Sequence, residues 1–364
     1  MIATTTNSTK EVFFFTRVPV VDKYNFFEYI SVMVDSGVTI TEALASVQEK
    51  IKHEYFKKKI AELITYISSG DSFSKAMKKI PQVFESAEIS IIEAGEITGT
   101  LVIALARLSE ELKKSHNLKL KIKNALTYPA IIFLFLFIAV IIVLTYVIPA
   151  IQPLFDTSGV ELPTATKALI ATSEFISGNY LAIILFFITL VVLFSGYKST
   201  PKGKASIESF LLSLPLIGTV YKNYLLASIS GMLGSLIGSG INVIQSLSLV
   251  GKSSGSVIYE SLFDDIIDDV SKGNKIVESM SKVDELGKYF PSDFLQMLSV
   301  GESTANLEKI SEKINQQYLK EVDYSLSSLT KWVEPIAILV AGVFVVWFAF
   351  AILGAILKVT ETVA

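Results

Sequence analysis

Three long apolar segments dominate the pattern of hydrophobic and polar positions along the chain. They occupy residues 130–148, 180–197 and 335–357, and none of them contains a charged residue. A helix needs about 20 apolar residues to cross the roughly 30 Å hydrocarbon core of a bilayer. The pattern therefore predicts three transmembrane helices. A fourth uncharged stretch, between Lys222 and Lys252, is long enough as well, but it is rich in glycine and serine and would make a weak lipid-facing helix.

The chain also contains two copies of one unit. Residues 29–38 resemble residues 232–241 at an offset of 203, and Gly70 and Gly273 keep this register. Farther on the offset becomes 206, which indicates three inserted residues; the matched positions are Phe84, Gly95, Glu96, Leu101 and Pro129 with Phe290, Gly301, Glu302, Leu307 and Pro335. A register kept over this length indicates a duplicated domain.

The repeat decides how the uncharged stretch is interpreted. The matching segment of the first copy carries several charges, namely Asp22, Lys23, Glu28, Asp35 and Glu42. We therefore expect both segments to be helices of a soluble bundle. The first and third spans then close equivalent copies, and the second span returns the chain to the side from which it started.

Basic residues near the spans predict the orientation. Lys113, Lys114, Lys119, Lys121 and Lys123 precede the first span, and Lys198, Lys202 and Lys204 follow the second. The loop between these spans has Lys167 against Asp156, Glu161 and Glu174. Because basic loops stay in the cytoplasm, we expect both large domains to be cytoplasmic. The apolar run 13–15 is too short for a signal peptide, so the first domain is expected to stay where it is made.

The apolar positions within each copy recur at helical spacing. Leu101, Leu105, Leu108 and Leu112, for example, share one helix face. The predicted fold is an all-α polytopic membrane protein with three transmembrane helices and two homologous cytoplasmic helical bundles, and the last helix of each bundle runs on into the membrane. The predicted boundaries are an N-terminal tail at 1–22, copy 1 at 23–128, spans at 129–149, 180–197 and 334–357, an extracytoplasmic loop at 150–179, a linker at 198–222, copy 2 at 223–333 and an extracytoplasmic tail at 358–364.

Composition narrows the chemistry. The chain of 364 residues is 51% hydrophobic and 18% charged, with a mean hydropathy of +0.53. A net charge of −3 does not favour nucleic-acid binding. Without cysteine, disulfides, thiol nucleophiles and thiolate metal sites are excluded, and two histidines leave little for an imidazole site. We predict no cofactor, no metal site and no catalytic residues.

Two local patterns have a chemical and a structural interpretation. Asp264, Asp265, Asp268 and Asp269 form two acidic ridges of a helix, which could bind a divalent cation or dock on a basic protein surface but are more typical of a solvated face. Residues 251–255 fit the G-x-S-x-G pattern of hydrolases, but they follow a helical run rather than a strand. We expect a flexible loop there. Gly234 and Gly238 are expected to permit close helix packing.

Several motifs in a fixed order resemble one known family. They are Gly95-Glu96-Ile97-Thr98-Gly99-Thr100-Leu101, Tyr128-Pro129, Pro149, Phe155, Glu161-Leu162-Pro163 with Thr166, Leu214-Pro215-Leu216-Ile217-Gly218, Gly301-Glu302 and Glu334-Pro335. On these residues the chain resembles the polytopic platform proteins of type II secretion and type IV pilus machines, the GspF/PilC family, from about Tyr24 to Leu357. It departs from the family after Phe26, where Phe27-Glu28-Tyr29-Ile30 stands in place of the family's x-Arg-Gln-Leu, and at Ala305-Asn306 after the second Gly-Glu.

The resemblance implies a non-enzymatic platform in the inner membrane. Such proteins couple a hexameric cytoplasmic assembly ATPase to the extraction and polymerisation of pilin or pseudopilin subunits. They contact other inner-membrane assembly proteins and membrane lipid, and they are thought to form homodimers. The kind of machine is left open.

Alternatives remain for the motifs and for the protein. Gly95, Glu96, Thr98, Gly99 and Leu101, with Gly301 and Glu302, face a partner or form a helix–turn–helix junction with the glutamate near a helix N-terminus. Tyr128-Pro129 and Glu334-Pro335 are interpreted as structural, and Glu334 lies at headgroup level or faces a partner. A membrane scaffold or adaptor is the main alternative function. A small transporter subunit is disfavoured because the spans lack ionisable residues other than tyrosine.

Overall fold

A computed structural model of the chain describes residues 18–156 and 162–363. The motif residue Glu161 and most of the predicted N-terminal tail lie outside the described residues. The described part is helical and contains no strand. Its residues fall into two units: unit 1 comprises residues 18–119 and Lys222–Lys320, and unit 2 comprises Leu120–Tyr221 and residues 321–363.

The helices follow the predicted repeat. In chain order they are α1 (Val20–Asp35), α2 (Ile40–Lys50), α3 (Glu54–Ser68), α4 (Phe73–Lys78), α5 (Ser86–Thr98), α6 (Leu101–Ile142), a π-helical turn (Val143–Val147), α7 (Ile148–Asp156), α8 (Thr164–Gly178), α9 (Tyr180–Lys198), α10 (Pro201–Ser213), α11 (Ile217–Gly238), α12 (Val243–Ser253), α13 (Val257–Ser271), α14 (Ile276–Val283), α15 (Ser292–Ser303) and α16 (Leu307–Val363). Helices α1–α6 of copy 1 correspond to α11–α16 of copy 2. The all-α fold with a repeated bundle is confirmed.

The same capping chemistry begins equivalent helices. Thr39 accepts a hydrogen bond from the backbone N–H of Glu42 at the start of α2, and Glu42 completes a capping box. Asn242, its equivalent in copy 2, accepts one from the N–H of Gln245 at the start of α12. A side-chain acceptor at this position satisfies an amide that has no partner within the helix. The starts of these helices are thus fixed locally in each copy.

Aromatic clusters form the core of each bundle in unit 1. In copy 1 the rings of Phe26, Phe27, Phe56 and Phe84 are fully or almost fully buried and lie 5.1–6.1 Å apart. In copy 2 the buried rings are Tyr259, Phe263, Phe290 and Phe294. Phe56 and Phe84 are the repeat equivalents of Tyr259 and Phe290. The duplication therefore preserves the core as well as the helix order.

Each copy fills one matched core position differently. Copy 1 buries an ion pair between Lys23 Nζ and Glu88 Oε1, 2.6 Å apart. Copy 2 has Leu226 and Phe294 at the equivalent positions, and both are buried. Burial raises the pKa of the Glu88 carboxyl, and the charge of Lys23 opposes this rise. An apolar pair can replace a buried ion pair of similar volume without loss of stability.

The three apolar helices are long enough to cross a membrane. They are the helical stretches Leu101–Pro153, Tyr180–Lys198 and Leu307–Lys358, which contain the three predicted spans. Helices α10 and α11 meet the same length and hydropathy limits as a pair, but they are bent by 112° at their junction. Leu225, Leu226, Leu233 and Leu236 of α11 are buried within unit 1, as a helix of a soluble bundle requires. The predicted domain boundaries stay predictions, and those at 128, 222 and 333 fall inside continuous helices.

The predicted loop at 251–255 is wrong in its first part. Residues 251–253 form the last turn of α12. A β-carbon at Gly251 would lie 2.7 Å from the β-carbon of Phe263, so the glycine permits α12 and α13 to pack closely. Packing of this kind overrides the low helix propensity of glycine and serine.

Unit 2 contains an apolar cluster around helix α8. Leu144, Ile148, Leu169 and Ala351 are buried there, which brings the helices that contain the first and third spans against α8. Two hydroxyl groups of α8 donate hydrogen bonds to backbone carbonyls, Thr166 to Ala351 and Ser173 to Leu144. Helix α8 is thus joined to both helices by apolar packing and by hydrogen bonds.

The bond to Leu144 has a cause in the sequence. In the π-helical turn the N–H of Ile148 donates to the carbonyl of Val143, five residues earlier. The next donor in that series is residue 149, which is proline and has no N–H. The carbonyl of Leu144 therefore has no backbone donor in this series, and the hydroxyl of Ser173 donates a hydrogen bond to it.

We expect Ser173→Ala to lower the free energy of unfolding by about 1–3 kcal/mol, the usual cost of a buried polar group without a partner. The measurement is thermal unfolding of the detergent-solubilised full chain. Thr172→Ala is the control, because the hydroxyl of Thr172 is exposed and bonds within its own helix to Ala168. Equal unfolding temperatures for both variants would contradict the assigned role.

Candidate functional site

The two Gly-Glu motifs close the same contact in each copy. The carboxylate of Glu96 accepts hydrogen bonds from the N–H groups of Phe73 (2.6 Å) and Ser74 (3.2 Å), the first residues of α4. The carboxylate of Glu302 accepts them from Ile276 (2.6 Å) and Val277 (3.3 Å), the first residues of α14. A negative charge is stabilised there by free amides and by the helix dipole. Each motif thus ties two helices of its bundle together.

The glycines of the motifs allow close approach between successive helices. A β-carbon at Gly95 would lie 2.5 Å from the β-carbon of Ala104, and one at Gly301 would lie 2.9 Å from that of Ile310. Helix α5 therefore packs tightly on α6, and α15 packs equally tightly on α16. The Gly-Glu pair serves folding in both copies, and a contact between it and a partner stays a prediction.

After each Gly-Glu motif the helix ends at a residue in the left-handed backbone conformation. Gly99 has a φ of +71° and ends α5, while its equivalent Ala305 has a φ of +52°. In both copies the residue that follows donates its N–H to the motif glycine, Thr100 to Gly95 and Asn306 to Gly301, each at 2.8 Å. Glycine adopts this backbone conformation without strain, whereas alanine does not.

The remaining predicted residues lie in the two longest helices. Leu101 is the first residue of α6. Tyr128 and Pro129 lie inside α6, and Glu334 and Pro335 lie inside α16. Tyr128, Glu334 and Pro335 are exposed within the chain. These four residues belong to unit 2, whereas the Gly-Glu motifs belong to unit 1.

Two aspartates of the acidic cluster form ion pairs with lysines. Asp268 lies 2.5 Å from Lys272, and Asp269 lies 3.0 Å from Lys282. Hydrogen bonds from Lys282 and then from Ser279 lower the pKa of the Asp269 carboxyl. Among the residues that the structure describes, no group of three or more acidic or histidine side chains is placed to hold a metal ion.

A charged groove between the two copies is the main feature of unit 1 that the sequence did not predict. It has a volume of about 520 Å³ and lies where α6 of copy 1 meets α11 and α16 of copy 2. The guanidinium of Arg107 lies 2.9 Å from Glu308, and the ammonium of Lys114 lies 3.2 Å from Glu312. These ion pairs link residues about 200 positions apart in the chain.

Small residues of α11 form the floor of this groove. A β-carbon at Gly231 would lie 3.0 Å from the carboxylate of Glu111, and one at Gly238 would lie 1.8 Å from the guanidinium of Arg107. Ser235 donates a hydrogen bond of 3.4 Å to Glu111. A larger side chain at Gly231 or Gly238 would displace the ends of these side chains. The expected close helix packing is seen at Gly234, where a β-carbon would lie 3.2 Å from the backbone carbonyl oxygen of Glu308 on α16. Two features of the α11 sequence indicate such a contact. The helix has no charged residue after Lys222, and Gly231, Gly234 and Gly238 recur at helical spacing.

The groove changes the acidity of its buried members. Burial raises the pKa of the Glu111 carboxyl to about 7, although Lys114 opposes the rise. Burial alone would lower the pKa of Lys114, but hydrogen bonds and charges from Glu110 and Glu312 raise it instead. The contact between the copies thus contains a carboxyl group that titrates near neutral pH.

Both copies are similar in sequence to proteins of one family. The family model described as "Type II secretion system (T2SS), protein F" matches residues 26–149 and 229–355, which are the two copies with the spans that follow them. The type IV pilus assembly protein PilC of Thermus thermophilus is 28% identical over 88% of this chain and 78% of its own length. PilC of Pseudomonas aeruginosa is 28% identical over 88% and 85%, and the type II secretion system protein F of Aeromonas hydrophila is 23% identical over 92% and 85%.

We expect Ala305→Gly to raise the free energy of unfolding by about 1 kcal/mol, because it removes the left-handed alanine. The change is measured by thermal unfolding of the full chain in detergent. Ser303→Gly is the control: it places glycine inside the last turn of α15 and should destabilise by about 0.5–1 kcal/mol. If both substitutions destabilise, the strain assigned to Ala305 is absent.

We expect stability to fall as the pH rises from about 4.5 through 7. The folded state holds a proton on Glu111 over this range, whereas the unfolded chain, with a carboxyl pKa near 4.5, does not. A shift of this size corresponds to at most about 3.4 kcal/mol. The measurement compares unfolding temperatures of the wild type and Glu111→Gln at a series of pH values. The variant should show a flatter profile, and an unchanged profile would contradict the assignment.

Proposed function

The chain belongs to the family of type II secretion system protein F, and from this premise we propose that it is the inner-membrane platform of a type IV pilus or type II secretion assembly machine. The observation that carries the proposal is the match of the family model to both copies, each a helical bundle followed by an apolar helix. Relatives named for both kinds of machine match over most of this chain, so the kind of machine is left open.

We place both bundles in the cytoplasm and the three apolar helices in the inner membrane. The support is the positive-inside rule, applied to the lysines before the first span and after the second. With this orientation, unit 1 is accessible to a cytoplasmic partner, while the apolar helices are within reach of pilin or pseudopilin helices in the bilayer. No catalytic step is assigned to the chain.

The proposed mechanism couples a hexameric cytoplasmic assembly ATPase to this platform. The carboxylates of Glu96 and Glu302 are occupied by helix N-termini, so they are poor candidates for the contact. Ile97, between Glu96 and Thr98, is a large apolar side chain that is 80% exposed. Single exposed apolar side chains are common on protein surfaces, so the position of Ile97 inside the motif, and not its exposure alone, supports a contact with a partner. We assign the ATPase contact of the first motif to Ile97, with Gly95 and Glu96 holding α5 in place.

The experiment uses the full chain with an affinity tag, expressed at native level, solubilised from native membranes and analysed by quantitative mass spectrometry. A hexameric assembly ATPase should copurify with the wild type. Ile97→Asp should reduce its recovery by about tenfold or more, equivalent to about 1.4 kcal/mol of binding free energy. The control is Ser303→Asp, at the equivalent exposed position of copy 2.

The two parts of the proposal fail in different ways. If no assembly ATPase copurifies with the wild type while pilin-like subunits do, the coupling is wrong and a membrane scaffold becomes the better description. If the ATPase copurifies equally with Ile97→Asp and with the wild type, the coupling stands and the contact assigned to Ile97 is wrong.

A further inference from the structure

The two copies within unit 1 meet through different faces. Copy 1 contributes one face of α6 with Arg107, Glu111 and Lys114, and copy 2 contributes the groove between α11 and α16. Helix α12 of copy 2 also packs on α5 of copy 1. Such a head-to-tail contact leaves one equivalent face of each copy unused within the chain. In copy 1 this is the groove between α1 and α6, and in copy 2 it is one face of α16.

The unused groove of copy 1 is open and has acidic residues on α1. It has a volume of about 330 Å³, and its charged lining residues are Glu28 on α1 and Glu110 and Lys113 on α6. The exposed side chains of α1 follow helical spacing at Glu28, Val32 and Asp35. Their equivalents in copy 2 are Gly231, Ser235 and Gly238, which α6 covers. The same face is therefore small and uncharged where it is covered, and acidic where it is open.

The unused face of copy 2 is basic. Lys313, Gln317 and Lys320 of α16 are the repeat equivalents of Arg107, Glu111 and Lys114. Both lysines are exposed, and Gln317 is half-buried. Beside this face, α15 exposes Val300 at the position equivalent to Ala94 of α5. Helix α5 contributes to the contact between the two copies within the chain. Helix α15 is the equivalent of α5 in copy 2, so it is the helix next to the unused face.

The two unused faces have complementary charges when they are paired in the same way as the two faces that meet within the chain. Within the chain, Arg107 lies against Gly238 and Glu111 lies against Gly231. The same placement puts Lys313 against Asp35 and Gln317 against Glu28. Within the chain, the acidic partners of Arg107 and Lys114 are Glu308 and Glu312 on α16. In the equivalent placement, the acidic partners of the basic face lie on α1 instead. Val32, which is 61% exposed, supplies apolar surface at the centre of the groove.

We propose that the open α1–α6 groove of copy 1 receives the α16 face of copy 2 from a second molecule of this chain, with Asp35 opposite Lys313. The contact repeats between molecules the packing that joins the two copies within one molecule. Being heterologous, it closes as a ring or continues in a line, unlike a symmetric contact of one face with itself. The inference rests on the repeat and on unit 1, and it is independent of the ATPase coupling.

The test exploits the absence of cysteine from the chain. Two differently tagged full-length chains are expressed together in native membranes, one with Asp35→Cys and the other with Lys313→Cys, and are oxidised mildly. We expect a disulfide-linked species that carries both tags, at about tenfold or more above the control. The control pairs Lys313→Cys with Asp268→Cys, whose side chain is 73% exposed on α13 and lies outside both faces. All three substitutions are at exposed positions and should leave folding intact.

Two outcomes would overturn the proposal. One is no more cross-linking between the two chains than in the control. The other is predominant cross-linking between two Asp35→Cys chains, which would indicate a symmetric contact through copy 1. A charge exchange adds a second readout. Asp35→Lys alone should weaken self-association, and Asp35→Lys combined with Lys313→Asp should restore it. Failure of the combination to restore association would also contradict the proposed pairing.

Discussion

The burial of the uncharged face of α11 is the constraint on which the rest of unit 1 depends. Leu225, Leu226, Leu233 and Leu236 make α11 apolar and are buried, and Gly231, Ser235 and Gly238 leave the face toward α6 with small side chains. Helix α6 covers it, and the close approach removes water from Glu111. The ion pairs of Arg107 with Glu308 and of Lys114 with Glu312 surround the contact and fix its register. Two similar bundles thereby become one unit with two chemically different outer faces.

Unit 2 depends on a related requirement, which is that buried backbone groups have hydrogen-bond partners. Proline at position 149 removes the donor that the π-helical turn needs for the carbonyl of Leu144. Ser173 replaces this donor from another helix. In apolar surroundings an unsatisfied carbonyl is costly, so α8 is held by polar bonds as much as by packing. Both units thus combine close packing with a small number of well-placed polar contacts.

The sequence predicted the elements of this fold better than their contacts. The three spans, the repeat and the helical bundles follow from hydropathy, from register and from helical spacing, all of which are properties of single segments. The structural alternative for Glu96 and Glu302, a carboxylate near a helix N-terminus, also followed from local chemistry. The covering of α11 by α6 did not, because an apolar face shows that it must be buried but not which surface buries it. In the sequence, Arg107 and Lys114 cannot be distinguished from solvated side chains, because their partners lie about 200 residues away in the chain.

Contacts that lie outside a local pattern also decide where helices end. The G-x-S-x-G pattern without a preceding strand predicts a loop at residues 251–255, whereas the packing of Gly251 on Phe263 keeps residues 251–253 helical. Proline at position 149 indicates that a preceding carbonyl lacks a backbone donor, but no local pattern identifies Ser173 as the residue that supplies one. The unequal charge of equivalent faces was visible in the repeat, and it became informative only when the structure showed that one face is covered and the other is open.

The most direct test of this account compares the same substitution at two equivalent positions. Ser235→Asp places a second carboxylate beside Glu111 at a site that is 9% exposed, whereas Val32→Asp places it on the open face of copy 1. Thermal unfolding of the full chain is measured in detergent at low protein concentration. We predict that Ser235→Asp destabilises by about 3 kcal/mol or more, as expected for a carboxylate buried against the carboxyl of Glu111, and that Val32→Asp changes stability by less than about 0.5 kcal/mol. Equal effects of the two substitutions would contradict the claim that copy 1 covers α11.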